Sequence, residues 1–477
     1  YFFFIEAIGQ FIHKDRLGVF ILQIFFTWAS LILIVKLSGL FLNAKKTIAV
    51  VLIFLFTHTS ILWGGNTLEE YMLPLNLLVL YTSVRFFRYK KLSEDEMPDH
   101  IPYIAGLAFG IMLFAKVTVA APIAGICLGT AISLLSFKKI RGFFFYCLYF
   151  AFGALTAIIP IILFFYYNGC LKDMLYCVFE FAYLRGTDFS DPFTIKWEIK
   201  LSACFLGFLT GILHIPGMTE FIVRAKIIFS DKGASKTEAK ETSEVSDDVT
   251  LEKSASSVPA LEGIESEKKK QPKSIPLEYC LMLILSSLIT YVLLHLGNPW
   301  IYYFMTTEPI MLFSLILLLY MYDPLVVFSG VREALCLICM GVYFFNFGMS
   351  SIDTIQAPLY ERGNSYYQEY YDDARALGML IPPNERNSVF SLDTDMTFFE
   401  ATQIMPCYKY QINLQFFIDL NPKILDEIKE YFNTTPPKWM IISNKLDQYI
   451  PELYDVIMAK YHIISENSAG CLYMLDQ

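Results

Sequence analysis

The chain has 477 residues, of which 55% are hydrophobic, 16% aromatic and only 17% charged, and its formal net charge is −9. An acidic balance argues against nucleic acid as a partner, because such binding rests on cationic contacts to phosphates. Apolar, aromatic-rich stretches recur from Tyr1 to about Ser350, more than a water-soluble fold can hide, so a lipid bilayer is the expected solvent for most of the chain.

The first stretch, Tyr1 to His13, is too short to cross a bilayer and carries Glu6, so it reads as an interfacial helix. Crossing candidates follow at about 17–40, 47–63, 71–87, 101–115, 117–136, 143–166, 199–219, 277–297, 301–321 and 333–350. The block 101–136 is interrupted only at Lys116; at roughly 20 residues per crossing it needs two helices rather than one. Residues 228–275 are rich in Ser, Lys, Glu and Ala and have no aromatic residue after Ser230. Such a segment cannot bury enough apolar area to offset its ordering entropy, and a disordered cytoplasmic linker is expected there.

From about Ser351 the pattern changes to that of a small α/β domain. Ser388–Leu392 and Trp439–Ser443 read as short buried strands, Cys471–Leu475 as a last strand, and 422–432 and 451–461 as amphipathic helices. The expected fold is mainly α: a polytopic transmembrane bundle over 1–350 and an extracytoplasmic α/β domain over 351–477. Lys45/Lys46, Arg85/Arg88/Lys90/Lys91 and Lys138/Lys139/Arg141 fall in alternate links, which places those links in the cytoplasm. The links 63–70, Lys116, 167–198 and 297–300 then face outward, as does the C-terminal domain, in a multi-pass protein of the plasma membrane.

Ten cysteines are scattered, mostly within apolar runs. Cys336/Cys339 has CxxC spacing, but in an apolar helix it reads as packing. Cys407 and Cys471 both fall in the tail, where an oxidising compartment would permit a disulfide. No HExxH-type metal spacing and no Walker-type glycine loop occurs.

The sharpest polar signal is Glu69-Glu70 in WGGNTLEEYMLP, at the expected outer boundary between two crossings. Carboxylates so close to hydrocarbon are solvated, metal-bound or used; the plainer reading is that they complement the dipole of the next helix N-terminus. Lys116 either snorkels to the surface or faces an anion such as phosphate. Trp300, Tyr302, Tyr303 and Glu308 form a third group, in which the aromatic residues alone fit an interfacial belt. The outer link adds Lys172, Glu180, Tyr183, Arg185, Asp188 and Asp191, which read as solvated charges.

Several segments together resemble the polytopic GT-C glycosyltransferases related to protein O-mannosyltransferases and the aminoarabinose transferase of lipid A. YFFFIEAIGQFI resembles that family's amphipathic helix, RLGVFILQIFF its next crossing, and GGNTLEEYMLPLNLLVLY an outer turn and helix bearing an acidic residue. GLAFGIMLFAKVTVAAP and WIYYFMTTEPIMLF are similar to two later crossings, and NPKILDEIKEYFNTTPPKWMIISN to the α/β tail of bacterial members.

The resemblance implies transfer of a sugar from a polyprenyl-phosphate carrier to an acceptor at the outer face, a cell-envelope activity. Glu69 and Glu70 would assist at the acceptor or at a divalent metal ion, Lys116 would face the carrier phosphate, and Tyr302, Tyr303 and Glu6 would line the cavity. The family's usual catalytic acid lies in an outer loop ahead of a Lys-(Pro/Gly)-Pro motif. Neither is in this sequence, which starts with Tyr, so both are expected upstream of it. A transporter or flippase for a lipid-linked sugar is the rival reading, although the two halves share no hydropathy repeat. A non-catalytic scaffold is a third, and it leaves Lys116 and the Glu pair unexplained.

Overall fold

The computed structural model describes residues 2–13, 16–62, 67–90, 96–180, 200–215, 275–295, 301–321, 331–361, 366–392, 396–404, 407–408, 414–442 and 450–476. The expected linker (as far as 274), the turn 63–66, link residues 181–198 and 297–300 with Trp300 all lie outside them, as does the side chain of Glu6. The chain divides into two compact units, Tyr1–Ile355 and Gln356–Gln477.

The first unit is helical: α1 (Phe2–Ile12), α2 (Arg16–Gly39), α3 (Ala44–Ile61), α4 (Leu68–Tyr89), α5 (His100–Ala115), α6 (Ala121–Ser136), α7 (Ile140–Tyr167), α8 (Leu171–Leu175), α9 (Ser202–Leu213), α10 (Leu277–His295), α11 (Glu308–Met321) and the start of α12 (Val331–Glu361). 3-10 turns at Val117–Ala120 and Ile301–Thr307 lead into α6 and α11. Six spans among the described residues are long and apolar enough to cross a membrane: Leu17–Gly39, Ala44–Ile61, Val117–Ser136, Ile140–Tyr167, Leu277–His295 and Tyr302–Met321.

The other expected crossings correspond to helices that fall short of that measure. α4 has the length but carries Glu69, Glu70, Arg85 and Arg88. The apolar helices His100–Ala115, Ser202–Leu213 and Ala334–Met349 are shorter than 18 residues.

Burial orders the bundle from inside to outside. Tyr302–Met321 is 83% buried, whereas Ile140–Tyr167 is only 17% buried. On α2 and α7 the side chains Phe20, Phe25, Trp28, Phe144, Phe152 and Leu163 are exposed, as expected of faces whose solvent is lipid. Where helices cross closely, glycines repeat four residues apart: Gly106/Gly110, Gly125/Gly129 and Gly207/Gly211. A Cβ on Gly106 would strike the Phe150 carbonyl of α7, and one on Gly125 would strike the Ser286 backbone of α10. Without a hydrophobic force between helices in lipid, such backbone approach and its dispersion gain hold them together.

Two cations of the expected cytoplasmic links sit at helix C-termini. Lys46 Nζ donates to the Leu319 carbonyl at 2.8 Å and Arg88 Nε to the Leu40 carbonyl at 3.0 Å. Each satisfies an orphan carbonyl at the negative end of a helix dipole.

The second unit holds α13 (Tyr366–Met379), β1 (Val389–Leu392), α14 (Met396–Thr402), α15 (Leu414–Leu420), α16 (Lys423–Thr434), β2 (Trp439–Ile442), α17 (Pro451–Met458), β3 (Tyr461–Asn467) and β4 (Gly470–Leu475). The sheet order is β1-β2-β4-β3, with β1 and β2 parallel and the other pairs antiparallel. Phe390, Leu392, Met440 and Ile442 enter one core, and Val389, Trp439, Ile441 and Leu472 another. This is the two-residue alternation of strands covered on both faces.

The edge strand β3 was not among the strands expected. Its YHIISEN is largely exposed, with a register shift at Ile463/Ser465, so it lacks the apolar run that marks β1 and β2. Cys407 and Cys471 are not joined in a disulfide, and Cys336 belongs to an apolar cluster with Leu206 and Leu318 against which Cys339 packs.

Candidate functional site

The chain breaks helical geometry at Lys116, which is extended (φ −170°, ψ 125°) between the end of α5 and the 3-10 turn. That break puts a lysine where a continuous helix would have kept it on an apolar face. Asn76 of α4 donates from Nδ2 to the Val119 carbonyl at 3.2 Å, which ties the turn after Lys116 to α4. Lys116 Nζ forms an ion pair with Glu69 Oε1, and it lies over the Tyr303 ring, 2.9 Å from its centroid, with the Tyr302 ring at 5.5 Å.

Burial is uneven across this pair. The Lys116 side chain is 24% exposed and that of Glu69 only 1%. A carboxylate so desolvated depends on its cation, while the ammonium keeps an open side and two aromatic faces that favour a cation.

Glu70, the next residue, points elsewhere. Its Oε2 accepts from Gln23 Nε2 at 3.0 Å and its Oε1 from Thr27 Oγ1 at 3.2 Å, both from α2. Adjacent positions on a helix differ by about 100° of rotation, so α4 presents Glu69 toward Lys116 and Glu70 toward α2. Both lie in the first turn of α4, where the dipole also favours them, so the plain helix-end reading holds alongside the specific partners.

His58 Nδ1 lies 3.0 Å from each carboxylate oxygen of Glu308, and both residues are buried. Thr67, just before α4, donates to Met305 Sδ at 3.8 Å, joining this end of α4 to the 3-10 segment that carries Tyr302 and Tyr303.

All these charges lie near one end of the bundle: the first turn of α4, the end of α5, the last turns of α3 and the first residue of α11. Glu69, Glu70, Lys116, Tyr302 and Tyr303 are therefore neighbours in space as well as candidates in sequence. His58, Gln23, Thr27 and Asn76 were not singled out from the sequence. His58 alone carried a usable signal, an ionisable residue inside a crossing; the three neutral residues carried none. Among the described residues no group of three or more His, Cys, Asp or Glu side chains gathers as a metal-ligand set. Lys172 and Glu180 lie in and just after α8, whereas Tyr183, Arg185, Asp188 and Asp191 fall outside the described residues. No protein-family model, curated protein or solved structure matches this chain.

Proposed function

We propose that this protein is an integral membrane glycosyltransferase that moves a sugar from a polyprenyl-phosphate carrier to an acceptor at the membrane surface. The observation that carries the reading is Lys116: a partly exposed ammonium at the end of a helix, held by buried Glu69 and flanked by Tyr302 and Tyr303. The GT-C resemblance supplies the reaction class. In that reaction the acceptor hydroxyl gives up its proton to a carboxylate and its oxygen bonds to the anomeric carbon. The bond from that carbon to the carrier phosphate breaks, and the electron pair leaves on the phosphate.

Lys116 stabilises the leaving phosphate, because a fixed cation in a poorly solvated site acts strongly on developing negative charge. Glu69 orients Lys116 and, with Glu70, serves the acceptor side. An isoprenoid belongs in the bilayer, so a site at one membrane surface suits the carrier. The charges at one end of α4 and α5 meet that requirement better than a transporter's need for a midplane site. His58–Glu308, an ionisable pair inside the bundle, is the one feature that favours the transporter reading.

The test uses the full-length protein in proteoliposomes with a labelled polyprenyl-phosphate sugar, reading the release of polyprenyl phosphate. Lys116→Ala and Glu69→Gln should each lower turnover by on the order of 100-fold. Normal turnover in both removes these site assignments. Uptake of labelled solute without sugar transfer favours the transporter.

A further inference from the structure

The opposite end of α6 and α7 carries a second cationic site. Lys138 and Lys139 join the two helices and Arg141 opens α7. Together with Glu96, Asp99, Tyr146 and Tyr149 they line a cavity of about 520 Å³. That volume far exceeds the roughly 30 Å³ share of one water in the liquid, and it suits a phosphate ester with its glycerol.

The backbone at this turn gives an independent indication. Lys138 has φ +58°; its N–H donates to the Leu135 carbonyl and that of Lys139 to the Leu134 carbonyl, both at 2.9 Å. This is a left-handed helix cap, a position where glycine is the usual occupant because a Cβ is penalised. A lysine here keeps a cation at the cavity wall at the expense of local strain, and strain of this kind concentrates at ligand sites.

The acids in the cavity do not cancel the cations. Asp99 already accepts the Tyr149 hydroxyl, and Glu96 is exposed. The three cations Lys138, Lys139 and Arg141 outnumber the two carboxylates Glu96 and Asp99 in the lining. An apolar groove of about 400 Å³ continues from the cavity along the outside of α7, lined by Ile140, Arg141, Phe144, Phe145 and Leu148. Ile140, Arg141 and Phe145 are common to both, and the Arg141 guanidinium lies 5.5 Å from the Phe145 ring centroid.

We infer that this cavity and groove form a binding site for an anionic glycerophospholipid, its phosphate on Lys138, Lys139 and Arg141 and an acyl chain along Phe144 and Leu148. Charge complementarity and the continuity of a polar pocket with a lipid-facing groove name the occupant; basic pockets beside membrane helices recognise headgroups in this way. The inference does not depend on the transfer reaction.

The test is thermal unfolding of the full-length protein in a neutral detergent, titrated with phosphatidylglycerol, phosphatidylcholine or inorganic phosphate. Phosphatidylglycerol should raise Tm with saturation, as expected for a ligand of the folded state, and more than phosphatidylcholine does. The variant Lys138→Gly relieves the left-handed backbone while removing a charge, so it should fold well and still lose about half or more of the shift. Lys139→Gln with Arg141→Gln should lose it as well, whereas Lys45→Gln, an exposed lysine outside the cavity, should keep it. Equal shifts from the two lipids, the same shift from inorganic phosphate, or a full shift in Lys138→Gly would overturn the assignment.

Discussion

His58 and Glu308 lie 250 residues apart in the chain, yet the imidazole Nδ1 is 3.0 Å from both oxygens of a carboxylate that is fully buried. The contact fastens α3 to the most buried span of the bundle. Removing one member leaves the other buried without its main partner, a change that costs about 3–5 kcal/mol in comparable pairs. His58→Leu and Glu308→Leu should each lower thermal stability in detergent by about that amount. The double variant should lose less than the sum, by a coupling of roughly 0.5–3 kcal/mol. Strict additivity in that cycle would show that the two side chains do not act together.

Asn76 separates a positioning effect from a stability effect. Its Nδ2 holds the Val119 carbonyl, but its Oδ1 is buried without a partner. Asn76→Leu removes a bond worth about 1 kcal/mol together with an unsatisfied acceptor, so Tm should change little. Turnover should fall much further, because the turn that sets Lys116 loses its tie to α4 and small misplacements are costly to rate. A parallel fall in Tm and turnover would argue for a merely structural role.

The glycine contacts make a prediction about assembly of the bundle. Gly125→Val places side-chain atoms against the backbone of α10 at Ser286, and overpacking of this kind costs about 1–3 kcal/mol or more. Gly39→Ala meets nothing within 4 Å and serves as the near-neutral comparison. Size-exclusion profiles and Tm in the same detergent report the difference.

In the second unit Glu385 accepts from Lys438 Nζ at 2.5 Å and from Trp439 Nε1 at 2.6 Å. The Lys438 and Trp439 hydrogen bonds hold its carboxyl below the ordinary value of 4.5. A lowered folded-state pKa contributes stability that is present above the ordinary value and is lost as pH falls through the lower one. Glu385→Gln should therefore flatten the acid side of the stability profile, by a small amount because the pair is largely solvated. An unchanged slope below pH 4.5 in the variant would refute the assignment.

Thiol chemistry gives a second readout of that unit. Burial pushes the Cys471 thiol up to about 11, and reactivity follows the thiolate fraction. Alkylation of Cys471 at pH 8 should be slow in the native protein and fast after denaturation. Mass spectrometry of the modified chain distinguishes the two.

The helical bundle and the small sheet were legible because hydrocarbon and strand pleat impose strong, periodic constraints on composition. β1, β2 and β4 announced themselves as apolar runs, whereas β3 is exposed along most of its length and reads as surface. Glu69, Glu70 and Lys116 could be singled out because an ionisable group in an apolar setting is costly and needs a reason. Their partners were harder to see. Gln23, Thr27 and Asn76 are neutral residues with little cost attached, and nothing local distinguishes a hydrogen-bonded one from an idle one.

Hydropathy marked helices long and apolar enough to cross a membrane, and the interruption at residue 116 marked two helices, not one, in the block around it. It could not say which carboxylate the lysine would meet. Adjacent residues on α4 diverge by about 100° around the helix axis, and the rotation of α4 is fixed by packing against its neighbours. That rotation turns Glu69 to Lys116 and Glu70 to Gln23 and Thr27, and the close approach of α3 and α11 pairs His58 with Glu308. Pairings between distant segments are properties of helix docking, and no single segment contains them.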